Sequence, residues 1–395
     1  MSADNSTSYV SRLYHVFVSF FLLGWTSFGG PAAHLGYFNQ EFIKAKKWAT
    51  ESQYAQWVAL SQVVPGPGSS QVGFALGYHR AGFFGGVAAF VGFTLPSFII
   101  MVALAMFGAA WQGHTLFDGV LYGLKLLAVV VVADACVSMW RSFCQTKVMA
   151  AVAIIGAASI VFLPFPFISL IILVLAALFG LTQGSSEPSE HELLPSVPFT
   201  KIIFAIALML FVASFFFDNG LAGMFADFYK AGALVFGGGH VVLPMLSAFV
   251  SDTASSSDLL LGYAAAQAVP GPMFTMASFL GAAATPEGSS IWLWALVGTL
   301  AVFLPGLMLM LCAQSAWQKL ANYPRFRSAI NSLNAAVVGI LIAALYSPIA
   351  TSSLFSVFDV LIVLAGFAWL KYKRPSIFLL ILAYIVIGVV FGLLA

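Results

Sequence analysis

The sequence predicts an all-α polytopic membrane protein, an inverted-topology repeat of two homologous halves with broken, re-entrant helices. Three observations carry that expectation. The composition is strongly apolar, a set of landmarks occurs twice in one order, and Pro-Gly-Pro interruptions sit inside apolar runs in both copies.

Of the 395 residues, 61% are hydrophobic and only 8% charged, where a soluble domain carries about 25% charged residues. The mean hydropathy is +0.99. Runs of about 20 apolar residues recur from Leu13 onward, each long enough as helix to cross a ~30 Å hydrocarbon core. They do not alternate in polarity as barrel strands do, so a helix bundle is expected. The polar N-terminus leads into the first run without a small-residue cleavage site, so that span is expected to be retained. Cys136, Cys144 and Cys312 lack C-x-x-C spacing, so neither a disulfide framework, a metal site nor any cofactor is expected. The bilayer is the expected partner. The basic loops read as topology signals rather than nucleic-acid patches, and a homodimer is left open.

The repeat follows from four landmarks. "FGGPAAH" from Phe28 matches "FGGGH" from Phe236, 208 residues on, and "QVVPGP" from Gln62 matches "QAVPGP" from Gln267, 205 on. Pro96 in "FTLPSF" and Pro305 in "VFLPGL" are 209 apart, and the tract from Phe117 pairs at the same offset with the tract from Phe326. The expected units are residues 1–181, a polar linker 182–198, and residues 199–395.

Charge orients the halves, because short cytoplasmic loops collect Lys and Arg. Lys44, Lys46, Lys47, Arg141 and Lys147 mark two loops of the first half, and their equivalents "SDTASSSD" and "YSPIATSS" carry no positive charge. The second half instead gathers Lys319, Arg325 and Arg327 in one loop and Lys371, Lys373 and Arg374 in another, where the first has "WQGHTLFD" and "PFPF". The reversed bias predicts inversion, with residues 201–217 as the extra span that turns the second half over. Secondary transporters share this architecture, with sites at the midplane between repeats.

Proline removes a helix donor and clashes with the preceding turn. One half-helix is therefore expected to end near Val64 and another to begin near Gly68, with Ser69, Ser70 and Gln71 in its first turn. Between Thr50 and Arg80 two half-length helices fit, and they return the chain to the side it came from. Backbone groups freed by the break survive in a membrane only inside protein or beside a wet cavity. Free amides and the helix dipole there favour an anion. The candidate anion site comprises Gly29, Gly30, Pro31 and His34, then Gln62, Pro65, Gly66 and Pro67 with the turn from Gly68. In the second half it comprises Gly237, Gly238, Gly239 and His240, then Gln267, Pro270, Gly271, Pro272 and Thr275. A packing kink is the competing reading of any such break.

Lys125 and Asp134 fall within one span, where ionisable groups are costly. At about 100° per residue they point to opposite faces and should not pair. Lys125 is a candidate to neutralise an anion, and its equivalent, Asn334, to hydrogen-bond one; snorkelling is the alternative for Lys125. For Asp134 a surface role and a proton-coupling role are both open. The acids are scattered, with no nucleophile and base together, so an intramembrane enzyme is disfavoured.

The paired "FGG" and "PGP" segments, the "LPSF" and "LPG" prolines and the "NAAVVGILIAAL" tract resemble the chromate ion transporter family in its long, two-domain form. The resemblance covers nearly the whole chain outside the first dozen residues and the linker. It implies inner-membrane export of chromate, with sulfate as a competing oxyanion and chromate resistance as the outcome. It carries onto Phe28, Gly29, Gly30, Pro31, His34, Gln62, Pro65, Gly66 and Pro67, and onto Gly237, Gly238, His240, Gln267, Pro270, Gly271 and Pro272. The halves depart from one another after the break, "GSSQ" against "MFTM". The residues themselves specify only an oxyanion, and leave an importer or an anion channel on the same fold open.

Overall fold

The computed structural model describes residues 8–28, 30–110, 114–163, 168–183, 197–236, 242–250, 254–321, 324–351 and 353–394, and among them there is helix and no strand. In the first half α1 (Tyr9–Thr26) is followed by α2 (Gly30–Phe38), which continues as a π-turn through Asn39–Ala45. Lys46 Nζ donates to Ser19 Oγ at 2.6 Å and the Phe42 ring stacks on Phe20 at 4.4 Å, so the chain doubles back along α1. Next come α3 (Glu51–Val63) and α4 (Gly68–Ala110). The Trp57 and His79 rings lie 5.4 Å apart and the Arg80 guanidinium 5.8 Å from the Trp48 ring, so the start of α4 runs back along α3. This is the expected hairpin, with Pro65 to Pro67 at its tip. Non-helical torsions at Ala81 and Gly82 fold α4 a second time, and its longer segment packs on α1 where Gly92 meets the Phe17 carbonyl.

The second half repeats the order. After α5 (Thr115–Phe143), α6 (Lys147–Phe162), α7 (Ile168–Thr182) and the extra α8 (Thr200–Ala213) come α9 (Gly220–Leu234), α10 (Val242–Val250) and α11 (Ser256–Ala268). A 3-10 turn (Met273–Thr275) leads into α12 (Met276–Ala283), followed by α13 (Ile291–Ala321), α14 (Pro324–Ala344), α15 (Val357–Lys373) and α16 (Ile377–Leu394). The two hairpins start with the same device. Thr50 and Gln53 form a capping box on α3, and Ser255 and Asp258 form one on α11, each satisfying amides that no helical carbonyl reaches. Among the described residues, four stretches, Gly68–Gly108, Thr115–Arg141, Ile291–Ala316 and Ser328–Ser347, are long and apolar enough to cross a membrane.

The halves exchange their long helices. α5 packs on α15 and α16 of the second half, and α14 on α6 and α7 of the first. Small residues permit the close approach: Gly119 and Gly123 abut the backbone at Gly388 and Tyr384, and Gly180 abuts Ala329. Tyr122 donates its hydroxyl to Asp359, and Lys371 pairs with Asp134 at 2.7 Å. Both pairings advance in the same direction along α5 and α15, so these two helices are parallel.

Candidate functional site

Each Pro-Gly-Pro break reaches into the other half. The Gly66 N–H donates to the Val235 carbonyl at 2.7 Å, and the Gly271 N–H donates to the Ser27 carbonyl at 2.9 Å. Val235 and Ser27 immediately precede the Phe-Gly-Gly segments in sequence, so the Pro-Gly-Pro tip of each half docks on the residue that leads into that segment of the other. Gly66 and Gly271 both hold positive φ, +125° and +101°, beyond the left-handed helical region and open in practice to glycine, at about 1–3 kcal/mol for any other residue. Contact reinforces the requirement. A Cβ on Gly66 would stand 2.6 Å from Gly306 Cα, and one on Gly271 would stand 2.8 Å from Ser97 Oγ. Gly306 and Ser97 follow Pro305 and Pro96, so each tip is seated in the Leu-Pro segment of the opposite half.

Polar groups line the first half's side of this junction. The Gln71 side-chain amide donates to the Pro65 carbonyl at 2.9 Å and the Gly306 carbonyl at 3.0 Å, stitching the tip across the halves. His34 is fully buried, with Nδ1 3.3 Å from Ser69 Oγ and its ring edge-on to Phe93 at 5.2 Å. His34 Nε2 finds no partner among the described residues, nor do the hydroxyls of Ser27, Ser70 and Thr94 or Gln71 Oε1. Buried polar atoms are paired almost everywhere in proteins, so this cluster is the candidate for a ligand's partners. The first amides of α4, from Gly68, have no helical acceptor and carry the positive end of the helix dipole. The segments forming the tips contain no Asp or Glu. Donors and hydroxyls without a carboxylate suit an anion.

The second half's side is plainer. Thr275 Oγ1 donates back to the Pro272 carbonyl at 2.7 Å. Gln267 hydrogen-bonds Tyr263, and its Nε2 is unpaired among the described residues, as is the buried Asn334 Oδ1 on α14. Pro270, Gly271 and Pro272 are buried, as are Gly66 and Pro67, and Pro31 opens α2. The structure does not bring every candidate inward. Gln62 is exposed on α3. Lys125 Nζ donates to Ser257 Oγ at 3.0 Å, in the first turn of α11, roughly a helix length of about 20 Å from Pro270. Gly29, Gly237, Gly238, Gly239 and His240 lie outside the described residues. Asp134 and Lys125 do not pair, and Asp134 is engaged by Lys371. Ser27, Thr94, Ser97 and Gly306 were not singled out by sequence reasoning. The repeat offset of Pro96 and Pro305 was the signal that pointed to the last two.

No group of His, Cys, Asp and Glu among the described residues is placed to hold a metal ion. Comparison with known proteins agrees with the repeat. The sequence profile of the family described as Chromate transporter matches residues 14–181 and again 222–389. A probable chromate transport protein of Synechococcus elongatus is 28% identical over 338 residues, 82% of this chain and 81% of the relative. A chromate transport protein of Cupriavidus metallidurans is 26% identical over 388 residues, 94% of this chain and 92% of the relative. An uncharacterised transporter of Methanocaldococcus jannaschii is 25% identical over 385 residues, 95% and 93% of the two chains. No solved structure matches. With both halves matched and the same segments forming the junction of the breaks, the chain belongs to the chromate transporter family.

Proposed function

We propose that this chain is a secondary transporter of the bacterial inner membrane that carries chromate outward and confers chromate resistance, with sulfate as a competing oxyanion. Residues 1–181 and 199–395 act as two units of inverted topology joined by the linker 182–198. The anion binds where the four breaks meet, against His34, Ser69, Ser70 and Gln71 and the first amides of α4, with the tips at Pro65 to Pro67 and Pro270 to Pro272 as its walls. Gly29, Gly30, Pro31, Gly237, Gly238, Gly239 and His240 complete the glycine breaks, and Gln267, Thr275 and Asn334 serve the second half. Lys125 acts from the outer end of α11, by attracting the anion rather than by contacting it at the tips.

The observation that carries this reading is the reciprocal docking of Gly66 on Val235 and Gly271 on Ser27, beside which the buried Ser70 hydroxyl and His34 Nε2 of the same half stay unpaired among the described residues. The parallel packing of α5 and α15 supports inversion, since in a parallel duplication α5 and α15 would run as α5 and α6 do, in opposite senses. Outward movement of a dianion is favoured by an inside-negative potential at about 2.3 kcal/mol per charge per 100 mV, so export needs no coupling ion. Uptake of labelled chromate into inverted vesicles energised by respiration tests the proposal. Accumulation that sulfate inhibits and an ionophore abolishes is the expected result. Entry only into right-side-out vesicles would overturn the direction, and no chromate entry into either would overturn the substrate.

A further inference from the structure

An apolar cavity of about 650 Å³ lies beneath α8, walled by α3, α7, α13 and α14. Its inner end is Val64, Pro65 and Phe236, at the tip of the first hairpin; its outer end is Lys201 in the first turn of α8 and Ala329 on α14. Apart from Thr200, Lys201 and Cys312 its wall is hydrocarbon, which offers a dianion nothing and separates it from the polar junction. Small residues of α13 open the cavity, and the first half does not share them. Ala313 and Ala316 line it where the first half, 209 residues earlier, has Leu104 and Phe107. Those two bulky residues are 38% and 54% exposed.

We propose that this cavity is a binding site for one anionic phospholipid, its acyl chain lying under α8 and its headgroup held by Lys201 and Arg325. Charge and shape agree on that occupant. Arg325 stands one turn from Ala329 on α14, it and Lys201 are exposed, and neither forms an ion pair among the described residues. Lys201 lines the cavity and Arg325 lies one turn before its wall residue Ala329; basic side chains at such an end draw anionic headgroups, and the wall running from it to a hairpin tip accepts a chain and excludes water. The lipid braces Pro65, next to the Gly66 amide that joins the halves.

Cys312 lines the cavity, so its alkylation by an apolar maleimide reports occupancy in the full-length protein in nanodiscs, without any transport measurement. Failure here is therefore distinct from failure of the chromate reading. Phosphatidylglycerol should slow Cys312 alkylation several-fold relative to phosphatidylcholine of the same acyl chains, and Lys201→Gln should remove the difference. Native mass spectrometry should find one phosphatidylglycerol retained by the wild type and lost in Ala316→Phe, which restores the first half's residue type and fills the space. Equal alkylation rates in the two lipids, or a lipid preference that survives Lys201→Gln, would overturn the proposal. Retention of the lipid by a folded Ala316→Phe protein would overturn its placement.

Discussion

At the scale of single residues, the junction depends on atoms that are missing as much as on those present. Gly66 combines a φ of +125° with a neighbour 2.6 Å from any added Cβ, so Gly66→Ala faces both backbone strain of about 1–3 kcal/mol and overpacking of about 1–3 kcal/mol. It should lower the melting temperature in detergent and abolish transport. Gly36 is the control: nothing lies within 4 Å of its added Cβ, and removing a helical glycine stabilises by about 0.5–1 kcal/mol, so Gly36→Ala should melt no lower than wild type. His34 makes a separate test. Its Nε2 is buried without a partner among the described residues, so His34→Ala should raise the chromate concentration for half-maximal transport, beyond the modest fall in melting temperature that loss of the Ser69 bond and Phe93 packing brings. A melting temperature that falls with unchanged transport would assign His34 to packing.

At the scale of elements, the hairpins are held at both ends. Inside, each tip is stitched to the other half through Gly66 and Gly271; outside, each begins at a capping box on Thr50 or Ser255. Losing such a cap costs typically about 1 kcal/mol. Ser255→Ala should therefore raise hydrogen exchange across the first turn of α11 while leaving α3 protected, and Thr50→Ala should do the reverse. Exchange rising in both hairpins from either variant would mean that the two elements open as one unit. Gln62 and Gln71 show why spacing alone misplaced one of two glutamines. Gln71 sits in the first turn after the break and turns inward to bind Pro65 and Gly306 carbonyls, whereas Gln62 ends the preceding helix on its exposed face.

At the scale of the whole molecule, the exchanged helices make the two halves one body. Lys371 and Asp134 pair across the halves at 2.7 Å, each with about a third of its side chain exposed. A pair with that exposure is worth about 0–1 kcal/mol, so Asp134→Asn should cost little stability. Its effect, if the pair steadies one orientation of the halves, should appear in transport rate and be restored by the exchange Asp134→Lys with Lys371→Asp. Gly123 is less forgiving, because its added Cβ would strike the Tyr384 carbonyl. Gly123→Leu should separate α5 from α16 and prevent a monodisperse protein from being recovered, a result that size-exclusion chromatography shows directly.

The sequence by itself determined a helical membrane protein in two related halves, because composition and repeat spacing are properties of the chain and need no partner to be read. It determined the breaks too, since Pro65 to Pro67 and Pro270 to Pro272 forbid a continuous helix wherever they fold, and α3 and α4 end and begin where those prolines require. Tertiary structure alone decided which half completes which break. Gly66 meets Val235 and Gly306, and Gly271 meets Ser27 and Ser97, contacts between residues more than a hundred positions apart that no local pattern encodes. The same is true of Lys125. Its place within an apolar run marked it as costly, but the partner that satisfies it, Ser257, is set by how α5 crosses α11. Local propensity acts through bonds and near neighbours along the chain, whereas the pairing of breaks is chosen by packing between helices, and only the folded molecule carries that information.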